Sequence, residues 1–263
     1  MGARFFEAFA ELAWPTRCIG CDLPGTLLCD ECRERLPWIE QRLACPICGT
    51  PFGYLSCSGC RRGMKASARA GRAEDNEGLS VRERLARDWP MRTTICALCF
   101  QGAAAQMATG LKDAHELRLA PILAAAMACA LDEAASWDAP DGRPRYDGER
   151  LDALCYVPAT PEAYARRGFD HMELVARPLS GFTGIPLADV LVRDTGLDQR
   201  ALGRAARSAN LARTIAVIDD VAGLDLLLVD DVTTTGASLA AATHALLARG
   251  AASVTACTFA RTW

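Results

Sequence analysis

At 263 residues the chain is long enough for one medium domain and a small appendage, and with 51% hydrophobic residues it can bury a sizeable core. A net charge of -3 excludes a global electrostatic drive towards nucleic acid or an anionic membrane surface. Sparse aromatics and abundant alanine suit a helix-rich α/β protein.

Residues 3 to 13 have helical spacing, with Phe5, Phe9 and Leu12 along one side and Pro15 closing the run. Without a basic flank, a helix packed on its own protein is expected over a membrane or partner helix. No secretory signal pattern precedes it, and no stretch is long enough to span a membrane; Pro121 to Leu131 reads as a core helix. A cytoplasmic location with reduced thiols is the expectation.

Eight of the 13 cysteines then fall into four Cys-x-x-Cys pairs: Cys18/Cys21, Cys29/Cys32, Cys45/Cys48 and Cys57/Cys60. The segment 18–60 is too short for a core of its own, and four thiolates around Zn²⁺ would staple it. Its short intervals suggest two sequential tetrathiolate sites, with a cross-braced pairing as the alternative. All-cysteine sites leave no open position, so the zinc would be structural. Residues 61 to 92 mix nine basic side chains, among them Arg61, Arg62 and Lys65, with acids. They read as a solvated linker or as a basic strip for nucleic-acid phosphates.

From residue 93 onward strands and helices alternate, which predicts a parallel sheet flanked by helices. Strands are expected at 94–100, 153–157, 187–192, 214–218, 226–229 and 253–259. Helices are expected at 102–111, 116–135, 171–182 and 238–249. Cys96 and Cys99, on opposite faces of a strand, are expected to be core, as are Cys129, Cys155 and Cys257.

The chemistry concentrates at 226–238. Leu226 to Val229 is a short apolar run that ends in Asp230 and Asp231. Thr233, Thr234, Thr235, Gly236, Ala237 and Ser238 follow and open a helix. Carboxylates at the carboxyl end of a parallel strand can take ribose hydroxyls, while a hydroxyl- and N–H-rich loop at a helix N-terminus cradles a phosphate. Asp219 and Asp220 also follow an apolar strand, but no such loop comes after them, so a turn is expected. His171 and His244 are not expected to be ligands.

Three further motifs share the chain with this loop: Val157-Pro158 followed eight residues later by Arg166-Arg167-Gly168-Phe169, then Gln199, Leu202, Arg207 and Asn210 at fixed spacings, and the cysteine pairs in front. Together they resemble the ComF family, the competence-associated, GntX-type phosphoribosyltransferase-like proteins. The resemblance implies a type I phosphoribosyltransferase-like domain at 93–263, a linker at 61–92, a double zinc ribbon at 18–60 and an N-terminal helix at 1–17. It implies phosphoribosyl pyrophosphate (PRPP) with Mg²⁺ as ligand, Asp230 and Asp231 as catalytic residues, and Arg166, Arg167 and Lys112 as anion-binding residues. It leaves the acceptor unnamed, and a link to DNA uptake leaves room for a PRPP or nucleotide sensor, or for an adaptor that meets single-stranded DNA or competence-machinery proteins. The chain departs from the family at Ala163, where an arginine is frequent, at Asp170-His171, in place of Asn-Gln, and after Lys112, where a glycine is missing. These departures weigh against turnover more than against fold.

Overall fold

A computed structural model of the protein describes residues 15–53, 56–61, 89–193 and 215–262. The expected N-terminal helix, almost all of the Arg-rich linker, and Gln199, Leu202, Arg207 and Asn210 lie outside the described residues.

Four parallel strands form the central sheet: β1 (Thr93–Cys99), β2 (Ala153–Tyr156), β5 (Asp225–Thr233) and β6 (Ser253–Arg261), in the order β1-β6-β5-β2. A small antiparallel pair, β3 (Leu191–Arg193) and β4 (Ile215–Val217), stands apart. The strand expected at 187–192 starts later, because Leu187 makes only an isolated bridge to Leu154. In chain order the helices are α1 (Asp30–Glu34), α2 (Gly102–Asp113), α3 (Ala120–Ala134), α4 (Pro161–Arg167), α5 (His171–Thr183) and α6 (Ala237–Ala248).

Alternation along the strands divides the core in two. Leu154, Tyr156, Leu227, Val229, Cys257 and Phe259 meet the apolar sides of α2, α3 and α5. Ala153, Cys155, Leu226, Leu228, Val254 and Ala256 meet α6. The β1 end of the second face is covered by the cysteine segment instead of a helix. Ile39 N donates to Ala97 O at 2.9 Å and Cys99 N donates to Pro37 O at 2.8 Å, so residues 37–39 pair with the free edge of β1. Gln41 Nε2 donates to Cys96 O at 3.0 Å.

Cys96 and Cys99 are buried, as expected, and meet Ile39 and Ala44 in one small cluster because this segment wraps the edge strand. Cys155 and Cys257 are also buried, and burial pushes the Cys155 thiol up to about 12. Cys129 is a correction: it is exposed on α3, because the buried side of that helix runs through Leu123, Met127, Ala130 and Leu131.

The helix ends follow local chemistry. Asp170 caps α5 by accepting from Met172 N at 2.8 Å, and Gly184 ends it in the left-handed region at φ 74°. Thr160 caps α4 by accepting from Ala163 N at 3.2 Å, with Pro161 opening the helix. Residues 219–224 form the expected turn, in which Ala222 N donates to Asp220 Oδ1 at 3.0 Å.

Met127 is wholly buried between α3 and the sheet. Met127→Ala is expected to cost about 2–5 kcal/mol of unfolding free energy, read as a lowered urea midpoint with an unchanged slope.

Candidate ribose-phosphate site

The site lies at the carboxyl ends of β2 and β5. The helix that packs after β2, α5, lies on one face of the sheet, and the helix after β5, α6, lies on the other. The two connections therefore diverge and leave a crevice between neighbouring strands, which is where open parallel sheets take ligands.

The acids sit differently from the sequence expectation. β5 does not stop at Val229. Its pairing with β2 ends at Tyr156–Val229, but on the β6 side it continues through Asp230–Thr258 to Thr233–Arg261. Asp230 and Asp231 are therefore strand residues whose β2 side is open, because β2 turns away at Pro158. The strand extension also consumes Thr233: its hydroxyl donates to Thr258 Oγ1 at 3.2 Å inside the sheet. Thr234 is exposed, Thr235 Oγ1 accepts from Ala237 N at 3.3 Å, and Gly236 is in the left-handed region at φ 86°. Gly236 offers no side chain to the first turn of α6, which begins without a side-chain cap. Ala237 and Ser238 are half-buried at that turn.

Asp231 is buried and holds two partners. Lys112 Nζ forms an ion pair with its Oδ2, and His171 Nε2 lies 3.4 Å from the same oxygen. Burial alone would raise this carboxyl. The His171 contact and the Lys112 charge outweigh it and hold Asp231 well below the usual carboxylate range. Asp230, half-buried, moves the other way, raised by burial and by the neighbouring Asp231 charge. The two adjacent acids thus divide into one fixed anion and one reluctant one.

The arginine pair also divides. Arg166 is exposed at the end of α4. Arg167 turns inward: Nη1 is 3.3 Å from His171 Nδ1 and Nη2 is 3.8 Å from Asp113 Oδ1. Its buried Nε has no hydrogen-bond partner among the described residues. The left-handed turn at Gly168, φ 81°, separates α4 from α5 and brings Arg167 back over His171. Lys112, Arg167, His171 and Asp231 therefore form one connected group.

His171 was not expected in the site. The usable signal was its position, one residue after the cap of a helix that follows an Arg-Gly-Phe turn. Asp170 was also underrated: besides capping α5, its Oδ2 accepts from Ala159 N at 2.6 Å. That N–H lies just beyond β2, and a carboxylate of the chain fills it. The glycine missing after Lys112 has a counterpart in the backbone, since His115 takes φ 56° and packs edge-on against Phe169 with ring centroids 5.5 Å apart. His244 is exposed on α6 and belongs to no site.

The eight paired cysteines form two groups, Cys18/Cys21/Cys29/Cys32 and Cys45/Cys48/Cys57/Cys60, each with its four sulfurs within 4.8 Å of one another. The pairing is sequential and not cross-braced. Separations of 3.6 Å for Cys18–Cys29, 3.7 Å for Cys21–Cys29 and 3.7 Å for Cys48–Cys57 are far beyond a disulfide. They match the edge of a tetrahedron with metal–sulfur bonds of about 2.3 Å, roughly 3.8 Å. Cys57 N points at Cys45 Sγ (3.3 Å) and Cys29 N at Cys18 Sγ (3.4 Å), the donors that steady thiolates. Burial opposes ionisation of Cys18, but the N–H groups of Cys29, Gly20 and Cys21 lower it to about 6. The residues fit a tetrathiolate metal in both groups.

Because Asp231 is depressed in the folded state, its stabilising contribution is present above the unfolded carboxylate value, about 4, and is lost as pH falls below it. Asp231→Asn should lower the urea midpoint at pH 7, and the gap between wild type and variant should shrink on acidification below that value. A gap that stays constant down to pH ~3 would contradict this linkage.

Residues 164–262, from α4 to the end of β6, match the phosphoribosyl transferase domain. Over 253 residues, 92% of this chain and 96% of the relative, the protein is 26% identical to DNA utilization protein YhgH of Salmonella typhi. It is 34% identical over 106 residues to the YhgH of Salmonella typhimurium and 32% over 105 residues to that of Escherichia coli K12, in each case 39% of this chain and 46% of the relative. A Trypanosoma cruzi hypoxanthine phosphoribosyltransferase superposes with a TM-score of 0.30 at 14% identity, over 55% of this chain and 66% of that one, a likeness too loose to carry weight. A cysteine-paired N-terminal module, the Arg-Arg-Gly-Phe turn and a match to the phosphoribosyl transferase domain thus occur in one chain, the combination that its resemblance to the ComF family implies.

Proposed function

We propose that the crevice between β2 and β5 binds PRPP, and that the protein serves in the handling of DNA-derived material, as the name of its DNA utilization relatives suggests. The observation that carries this reading is the strand extension of β5, which leaves Asp230 and Asp231 without a β2 neighbour directly before the Gly236 turn. In this reading Thr234, Thr235 and the first N–H groups of α6 receive the 5′-phosphate. Asp230, the half-buried acid, meets the ribose hydroxyls. Asp231, held by Lys112 and His171, supplies fixed negative charge beneath the ring, where an oxocarbenium-like centre develops as pyrophosphate leaves. Arg167, whose Nε has no partner among the described residues, faces the leaving pyrophosphate, and Arg166 contributes from the rim. Mg²⁺ would accompany PRPP and neutralise its pyrophosphate. The chain itself would position and polarise, with no nucleophile required.

A second reading, binding without turnover, has its own support. Asp170 fills the Ala159 N–H, and Ala163 leaves α4 without a further cation. Both weaken the pyrophosphate half of the crevice and leave the 5′-phosphate half intact. On this reading the protein senses PRPP or a nucleotide. The cysteine module is proposed to hold two structural zinc ions, and the location is proposed to be cytoplasmic; none of the described helices is long and apolar enough to cross a membrane.

Titration of the full chain with PRPP and Mg²⁺, followed by a pyrophosphate assay with pooled nucleobases, separates the readings. Pyrophosphate release that falls at least about 100-fold in Asp230→Asn supports the enzyme. Saturable heat of binding without release supports the sensor. Absence of both removes PRPP as the ligand. Elemental analysis of the purified protein should give two zinc per chain, and Cys48→Ser should give one.

A further inference from the structure

The second cysteine cluster differs from the first in how it is built into the protein. All four of its cysteines are buried, whereas Cys21 is exposed and Cys29 and Cys32 are half-buried in the first. It rests on the sheet: Thr93 Oγ1 donates to Pro46 O at 2.5 Å, and a Cβ on Gly49 would fall 3.0 Å from Thr94 O. Two side chains from outside the cysteine segment complete it.

The first is Arg261, the last residue of β6, which is wholly buried. Its Nε donates to Thr50 Oγ1 at 2.7 Å, and that hydroxyl lies 3.3 Å from Cys48 Sγ. Its Nη1 and Nη2 are buried with no hydrogen-bond partner among the described residues, and no described carboxylate pairs with it. A guanidinium buried in this way needs an anion. A divalent metal on four thiolates carries a net charge of about -2, and Arg261 lies beside it.

The second is Trp89. Its half-buried indole packs on the four cysteines and on the α6 side of the core, and Nε1 donates to Thr94 Oγ1 at 3.0 Å. Its far edge presses on Gly236, the turn residue of the 233–238 loop. A Cβ there would collide with Cη2 and lie 2.9 Å from Cζ3. The loop glycine is thus required twice, by its φ of 86° and by the indole against it.

We propose that the second cluster holds a metal whose tetrathiolate charge is balanced by Arg261 and whose presence keeps Trp89 seated against Gly236, so that metal occupancy here, and not at the first cluster, sets the conformation of the 233–238 loop. Without the metal, four sulfurs and a buried guanidinium lose their mutual compensation, the packing under the indole loosens, and the turn at Gly236 loses its outer wall. The first cluster is more exposed and rests on α2, where a Cβ on Gly20 would lie 3.2 Å from Ala103 Cβ, so it can be emptied without this effect. The inference concerns the shape of the loop and holds whichever ligand the loop takes.

Hydrogen exchange by mass spectrometry on the full chain, with bound metal counted by native mass, tests it. Cys48→Ser/Cys57→Ser should lose one metal and raise exchange of amides 233–240 by about tenfold or more, while Cys18→Ser/Cys21→Ser should lose the other metal and leave those amides unchanged. Exchange across α3 reports whether the domain remains folded. Should the first variant unfold as a whole, Trp89→Ala decides, since it should keep both metals and still release amides 233–240. Arg261→Met should weaken the second metal about 10–100-fold in chelator competition, and Arg261→Lys should recover much of that loss. Loop amides at wild-type rates in Trp89→Ala, or equal second-metal affinity in Arg261→Met, would overturn the proposal.

Discussion

A parallel sheet must be covered on both faces, because its strands are apolar on both. Here, among the described residues, the four strands have helices α2, α3 and α5 over one face and α6 alone over the other. The uncovered part, over β1 and β6, is closed by the cysteine segment, which also pairs with the edge of β1 through residues 37–39. Metal ligation suits this task. A segment of some 40 residues has too little apolar surface to fold by burial alone, and a tetrathiolate metal would give it a rigid centre. The cysteine module thus serves as the missing layer of the domain core.

The same sheet geometry creates the crevice between β2 and β5. β5 is paired on both sides as far as Val229 and on one side thereafter, so its next residues lose a neighbour exactly where two carboxylates occur in sequence. Burying acids there requires cations, and Lys112, from the end of α2, and His171, from the start of α5, supply contacts from two separate elements. The resulting group of Lys112, Arg167, His171 and Asp231 ties the ends of α2, α4, α5 and β5 together. Preorganisation of this kind is the form in which a phosphoribosyl site would stabilise charge, since the polar groups are oriented before ligand arrives. Its cost is visible in the left-handed His115 and in the buried Nε of Arg167.

Much of this was legible in the residues. The four Cys-x-x-Cys pairs led to the expectation of two sequential tetrathiolate sites, and the structure gathers them into two groups that could hold a metal. The Asp-Asp-Val-Thr-Thr-Thr-Gly run led to the expectation of a ribose-phosphate loop, and the structure places its acids and its glycine turn at the carboxyl end of β5. Other features were not legible, for physical reasons. The run of β5 past its acids depends on β6 continuing beside it to Arg261, a non-local pairing with no local signature. Thr233 looked like a loop hydroxyl, but the strand extension turned it towards Thr258. Cys129 looked buried from its apolar neighbours, but the phase of α3 placed it outside.

By itself the sequence determined the element order, the sequence intervals that favoured two sequential cysteine sites, and the acids and glycine of the loop, because each is written in short-range spacing and residue chemistry. The tertiary structure alone decided which acid is held by Lys112 and His171, which arginine of the pair faces inward, and that Trp89 and Arg261 join the second cysteine cluster to the loop. Those are contacts between residues far apart in the chain, and only the packing of the sheet and its covering layers brings them together.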